Sequence, residues 1–580
     1  MSKRQKSVIQ YILLVISVLS LFVGMKNSIL SINHEQKSIS KLKFSEKSME
    51  RELIYTPFYV VGEGSYYLVL PSSYKKKVFN AEIVWDSDYY SLYIDEKNYR
   101  NGDVWSDNLN EEIHRLKIVD LFGKIRVEKD FQVLVSANIP SIMVTVEAKK
   151  ELFSSLEFAN KQYIEKGEII VLDENGTVVL QDTMERFKVR GNLTADLSKK
   201  PFTFTLSQPK AICDMPASVN WHLIANATDS SHIRNKIMLD WAQELSERYT
   251  PTGEYVDLYV NGEYQGLYLL TETMETSTIR INRDPLNSIL LEMELDYRAI
   301  KEDNYLSTER EHYWVIHEAS AISDDKKEEV TAYLNNIESA LYSERGVGAE
   351  SGKKLEELLD FDSWTDTWLL KEVSSDHDLG TTSQFAIIED WNERSILKAG
   401  PEWDFDATFG NGMVPWSVNP RNLVTAIWNT KGIKSTNQNK WLAQMYKNTD
   451  FRTQLIEKYV KEFQPKIKRL LENEIDAYAQ KIRRPAILNA LRWVGNGVYD
   501  DFNKPESFQV GTEKDYRVKY DILNPHIDMI KEFLEEKDNF LTQLWIEGIE
   551  FEVYIEEHNE EGMNLELNND IYTWIPKVGQ

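Results

Sequence analysis

The sequence predicts an α+β protein in which a strand-rich half precedes a helix-rich half, behind a small β-sandwich and an N-terminal membrane segment. Three observations predict it. Between about Arg51 and Asn138, short β-favouring runs alternate with turn signals. From Ile139 onward strand patterns continue and include one clear hairpin. After about residue 325, apolar residues recur at three- and four-residue steps, the period of one helix face. A chain of 580 residues is too long for one ordinary core, so two or three domains are expected.

The elements follow in order. Lys3, Arg4 and Lys6 precede an apolar run from Val8 to Met25. About 20 apolar residues cross a bilayer, and positive charge on the leading flank keeps that end inside. Gly24-Met25-Lys26-Asn27 lacks the small-x-small pattern of a cleavage site. Residues 1–30 therefore read as an uncleaved signal anchor, with cleavage and secretion as the alternative; both leave the bulk of the chain outside the membrane. Residues 31–50, rich in Lys, Ser and Glu, read as a stalk. Residues 51–138 read as the β-sandwich, from runs such as Tyr66–Leu70, Ala81–Trp85, Tyr89–Tyr93 and Phe131–Val135. No titratable cluster stands out there, so a spacer or adhesion role is expected.

Residues 139–546 read as the main domain. Its strands include Ile142–Val146, a stretch across Glu168–Leu180, and Arg186–Val189. Tyr255–Val260, Asn261-Gly262 and Tyr264–Leu270 make a hairpin, because Asn-Gly supplies the two positive-φ positions of a two-residue turn. Leu334, Ile337, Leu341, Leu355, Leu358 and Leu359 carry the helical period, as do residues 437–483 and 517–546. Residues 547–580 read as an acidic tail without a motif.

The net charge of −26, with no clustered basic run, excludes an ordinary nucleic-acid binder. A single Cys213 rules out an intrachain disulfide and a zinc cluster, and it reads as a small buried apolar residue.

Four stretches could carry chemistry. Arg190-Gly191-Asn192 followed by Lys199-Lys200-Pro201 could cradle phosphate oxygens, or be a turn with solvated lysines. Trp221–Asn226, Asp229 and Ile233-Arg234-Asn235 read as helix capping and core anchoring before catalysis. Asp378 and Ser383, after a helix and before a strand, have the spacing of an acceptor-orienting carboxylate and a second oxygen ligand; an Asp-rich turn is the plain alternative. In Gly400–Gly412, Asp404 and Asp406 stand one residue apart among Trp403, Phe405 and Phe409. Carboxylates in apolar surroundings need a partner, and Mg²⁺ is a natural one.

In this order, and together with the Tyr259–Glu272 hairpin, these stretches resemble the CotH kinase family over roughly residues 140–545. The resemblance implies a divergent protein-kinase-like domain that uses ATP and Mg²⁺ (or Mn²⁺) to phosphorylate Ser or Thr of secreted or spore-surface proteins. It implies Lys199 or Lys200 on the ATP phosphates, with Arg190 and Asn192 beside them and Glu272 near a nucleotide hinge. Asp378 becomes the catalytic aspartate, in preference to Asp376, and Asp404, Asp406 and Ser383 the metal site. The acceptor is expected to be a secreted or surface protein, and no nucleic-acid partner is expected. A catalytically inactive cell-surface binding protein and a carboxylate-pair hydrolase are the other readings.

Overall fold

A computed structural model describes residues 42–47, 51–75, 77–85, 89–147, 164–245, 249–274, 288–317, 322–378, 382–425, 441–497, 515–556 and 571–577. The apolar run Val8–Met25 lies outside them. Among the described residues, no helix is long and apolar enough to cross a membrane.

The N-terminal unit is a two-sheet sandwich. Its strands are β1 (Lys43–Lys47), β2 (Glu52–Tyr55), β3 (Phe58–Val60), β4 (Ser65–Leu70) and β5 (Phe79–Val84). They continue as β6 (Tyr90–Ile94), β7 (Lys97–Tyr99), β8 (Val104–Asp107), β9 (Ile113–Asp120) and β10 (Ile125–Val135). One sheet runs β2-β1-β5-β8 and the other β3-β4-β10-β9-β6-β7. Strand alternation sends Phe79, Ala81 and Ile83 inward, where Phe44 stacks on Phe131 at 5.8 Å. Residues 43–47, within the stretch read as a stalk, form an internal strand because Phe44 anchors them in that core.

His114 sits between two carboxylates, its Nδ1 2.5 Å from Asp95 and its Nε2 2.6 Å from Asp107. The bond to Asp107, seconded by Asp95, pushes its pKa up to about 9 against the opposing effect of burial. A raised histidine gives its full stabilisation below about pH 6.5 and loses it as pH rises through the folded value. His114→Gln is expected to flatten the alkaline fall in stability between those limits, read from Tm against pH.

The sandwich is packed on the rest of the chain. Its core continues into Tyr259, Tyr264, Leu488 and Leu491, and Arg484 reaches Val135 O at 2.9 Å and Glu111 at 2.6 Å.

Seven strands then close a barrel: β11 (Ser141–Val146), β12 (Glu165–Leu172), β13 (Val178–Val189), β14 (Phe202–Lys210), β15 (Ser218–Ile224), β16 (Gly253–Val260) and β17 (Glu263–Glu272). The order is β11-β12-β13-β14-β15-β17-β16, and β16 returns to pair in parallel with β11. The β16–β17 turn has φ 51° at Asn261 and 84° at Gly262, as the hairpin signature requires. A Cβ on Gly262 would also lie 2.6 Å from Ile54 O, so only glycine lets the sandwich approach. Phe187 stacks on Phe202 at 4.8 Å in a barrel core shared with Trp221 and Tyr268.

A second sheet, β19-β20-β18-β21-β22, follows, from β18 (Ile289–Glu294), β19 (Tyr305–Ser307), β20 (Tyr313–Ile316), β21 (Gln384–Ile388) and β22 (Lys398–Ala399). Of the helices, α1 (Arg234–Glu244) packs on β16, α2 (Asp324–Leu341) on β19, α3 (Phe361–Ser374) on β22, α4 (Ile475–Trp493) on β17 and α5 (Leu523–Trp545) on α4. Leu355, Leu358 and Leu359, read as helical, give only a single turn over Leu355–Glu357, because Leu359 leaves it to bridge with Leu397.

Helix α3 is buried from Ser363 to Ser374, so its charged residues each need a partner. Lys371 pairs with Asp376 at 2.7 Å, Glu372 with Lys537 at 2.5 Å, and Asp366 with Lys458 at 2.6 Å. The C-terminal stretch, read as a tail, contributes the hairpin β23 (Phe551–Glu556) and β24 (Ile571–Pro576). Phe551 and Trp574 hold it on Phe540 of α5, at 5.2 and 5.6 Å.

Candidate active site

A cleft of about 1180 Å³ opens between the barrel and the second sheet. Arg190, Asn192, Asp378, Ser383, Asp404 and Asp406 all line it. These residues come from three separate stretches, and the local structure explains how each arrives.

Arg190 and Asn192 follow directly on β13, which delivers Arg186 and Lys188 to the same wall. The Arg190 guanidinium lies 5.5 Å over the Trp403 ring. Asp378 follows α3, whose last turn is closed by Ser375 in a left-handed conformation (φ 49°). The next residue, Asp376, turns inward to Lys371 and accepts the Asp378 N–H at 3.1 Å. Asp376 is thus spent on fixing the turn, and Asp378 is the carboxylate of this pair that lines the cleft. The physical cause is Lys371, an ammonium in an apolar helix that requires a buried counter-charge.

In the segment Trp403–Ala407, Phe405 is buried in the main core, while Asp404 and Asp406, with Trp403 and Ala407, line the cleft; the chain turns at residues 406–407. Helix α1 holds it from beneath. Asn235 Oδ1 accepts the Phe405 N–H at 2.7 Å, and Arg234 Nε donates to Thr408 O at 2.8 Å. Arg234 itself is fully buried against Asp229. The Arg-Asn pair opening this helix is an anchor for the aspartate segment. Two backbone bonds tie that segment to the Asp378 turn: Phe409 N–H to Ser374 O at 2.7 Å and His377 N–H to Ala407 O at 3.3 Å.

Ser383 Oγ lies 3.4 Å from Asp404 Oδ2. Both residues have positive φ, 54° and 66°, which is uncommon outside glycine and clusters at functional sites.

The electrostatics are those of crowded acids. Burial, followed by the Asp404 charge, raises the Asp378 pKa well above the ordinary carboxylate value. Burial also raises Asp404, with Arg190 opposing. Asp406 is pushed up to about 7 by burial and then by Asp404, against a hydrogen bond from Thr228. A divalent cation would relieve that crowding. The donor set, carboxylates and one hydroxyl, is the hard-oxygen chemistry that Mg²⁺ takes. Among the described residues, no group of three or more acid, histidine or cysteine side chains forms a metal cage. Mg²⁺ does not need one, being held by one or two carboxylates plus substrate phosphates.

Three of the expected residues lie elsewhere. Lys199 Nζ donates to Ala225 O and Leu267 O, both at 2.6 Å, and burial takes its pKa well below the usual lysine value. Lys200 Nζ donates to Ala195 O at 2.9 Å. Both ammonium groups are buried on backbone carbonyls and neither lines the cleft, because a buried cation needs acceptors and the barrel end supplies them. Glu272 accepts from Thr252 Oγ1 at 2.8 Å; Thr273 and Met274, just past it, line the cleft instead. Sequence reasoning passed over Arg186, Lys188 and the opposite wall, where Glu292, Glu294, Glu302 and Asp303 stand. The alternation of Arg186, Lys188 and Arg190 along one strand face was the available signal.

The sequence profile of the family described as CotH kinase protein matches residues 187–541, more than half of the chain. The chain belongs to the CotH kinase family. The match begins within β13 and ends within α5, so it takes in every cleft residue named above except Arg186, while the sandwich and the C-terminal hairpin lie outside it. No curated protein matches the chain.

Proposed function

We propose that this CotH-family protein is an extracytoplasmic, membrane-anchored kinase that transfers the γ-phosphoryl group of ATP to a Ser or Thr hydroxyl of a secreted or surface protein, with Mg²⁺ or Mn²⁺. One observation carries the reading: Asp378 and Asp404, from stretches well apart in sequence, line the same cleft as Arg190.

The cleft is polarised. The acidic wall of Glu292, Glu294, Glu302 and Asp303 repels phosphate, so the nucleotide phosphates belong on the Arg186, Lys188 and Arg190 side, with Asn192 donating. Asp404 and Ser383, with Asp406 beside them, would hold the cation, which supplies charge neutralisation on the phosphate oxygens. Asp378 orients the acceptor hydroxyl and takes its proton as the oxygen–phosphorus bond forms and the bond to the β-phosphate breaks. The apolar run Val8–Met25 supports the membrane anchor.

Binding tests the reading directly. Mg²⁺–ATP at a hundredfold excess over its Kd should stabilise the protein by about 2.7 kcal/mol, seen as a raised Tm. Asp404→Ala should remove the metal-dependent part of that rise. No response to ATP with or without Mg²⁺, alongside retention of an envelope protein in pull-downs, would instead make the chain a binding protein.

A further inference from the structure

The end of the sandwich at which the chain enters is also the end with its most exposed apolar side chains. In the register, Lys43 of β1 lies opposite Val84, the last residue of β5. Six residues later Tyr90 opens β6, and it lies opposite Asp120, the residue at the start of the β9–β10 turn. Trp85 N–H reaches Asn101 Oδ1 at 2.9 Å, two residues past Tyr99, which lies opposite Leu92 near the start of β6, so these points share one end of the sandwich.

That end is apolar at its tip. Phe122 is 95% exposed, Leu121 69% and Tyr89 68%. Turn positions are normally polar or glycine, and large exposed apolar side chains rimmed by polar residues mark an interaction surface. The turn is also built rather than loose: the Asp120 carboxylate accepts the N–H groups of Phe122 and Lys124, both at 2.9 Å, and Gly123 takes φ 78°. The pair is therefore held outward by its own backbone. From Leu121 to Arg126 the chain reads Leu-Phe-Gly-Lys-Ile-Arg; Arg126 is paired with Asp120 at 2.6 Å, which leaves Lys124 as the cation beside the apolar pair. Exposed rings and an aliphatic side chain beside a lysine suit a lipid surface, where aromatic side chains enter the headgroup boundary.

The chain itself indicates which surface. Between Met25, the end of the apolar run, and Lys43, the first strand residue, the connection can stretch at most about 60 Å, and a flexible one averages about 25 Å. The entry end of the sandwich is thus tethered close to whatever membrane holds that run. We infer that Leu121 and Phe122, with Tyr89 and Tyr90 beside them, insert into the outer face of the bilayer that anchors this chain. The inference rests on the membrane-anchor part of the proposed function. Insertion makes the sandwich a second, non-covalent foot on the membrane, so the domain stands on its anchor in one orientation.

The test uses the full chain reconstituted in phosphatidylcholine vesicles, with the single cysteine replaced (Cys213→Ala) and Phe122→Cys carrying an environment-sensitive fluorophore. Ile396→Cys, on the kinase-family domain, serves as the exposed control. The tip label is expected to lose most of its emission to brominated acyl chains and to resist aqueous iodide, while the control does the reverse. Vesicle flotation is read in parallel. Flotation with a tip label open to iodide and untouched by brominated lipid overturns the insertion and leaves the anchor standing. Loss of flotation removes anchor and insertion together. A tip label shielded from both quenchers means a protein contact covers it, which also overturns the inference.

Discussion

Asp378→Asn is expected to lower phosphate transfer by about 10²–10⁴-fold, the range removed with a general base, while the Mg²⁺–ATP rise in Tm persists. The neighbouring substitution separates the two acids of this turn. Asp376→Asn leaves Lys371, fully buried in α3, without its carboxylate, so the loss there is chiefly of stability. Radiolabelled transfer to envelope proteins and thermal melts, run on both variants, should sort them in opposite ways. Equal transfer by Asp378→Asn and the unaltered protein would remove Asp378 from the chemistry and, with it, the division of labour between the two carboxylates.

Arg234→Met should be the most damaging change to the fold around the cleft. The guanidinium is fully buried, pairs with Asp229, and donates to Thr408 O just beyond the Asp404–Asp406 segment. Removing one partner of a buried pair costs about 3–5 kcal/mol, because the remaining charge stays buried alone. The variant should therefore melt earlier and also lose Mg²⁺–ATP binding, since the aspartates lose their support. Asp229→Ala combined with Arg234→Met should be less destabilised than the sum of the single changes, as expected for groups that compensate each other. Simple additivity would show that the pair does not act as a unit.

Local signals in the sequence proved legible where the structure is itself local. Asn261-Gly262 identified the β16–β17 hairpin because its φ requirement lies within two residues. Asp404 and Asp406, read as acids set among aromatic residues, do lie together on the cleft, because they are only two positions apart. Lys199 and Lys200 misled because nothing nearby in sequence shows that the carbonyls of Ala225 and Leu267 will close over the first of them. Closure of the barrel was equally hidden, since β11 and β16 meet across more than a hundred residues. The C-terminal strands Phe551–Glu556 and Ile571–Pro576 are runs of aromatic and β-branched residues and were legible, but the acidic composition of the stretch drew the reading of a tail.

The parallel seam between β11 and β16 also governs how the protein is made. Ser141 must wait for Asp257, and β17 must slot in beside β16, before the ring is whole. Without the β16–β17 pair, which ends at Glu272, strands β11 and β15 would each present an unpaired margin able to recruit other strands. Contacts so distant in sequence form slowly. Overloaded expression is therefore expected to yield aggregates that start from the unclosed strands rather than from the finished molecule.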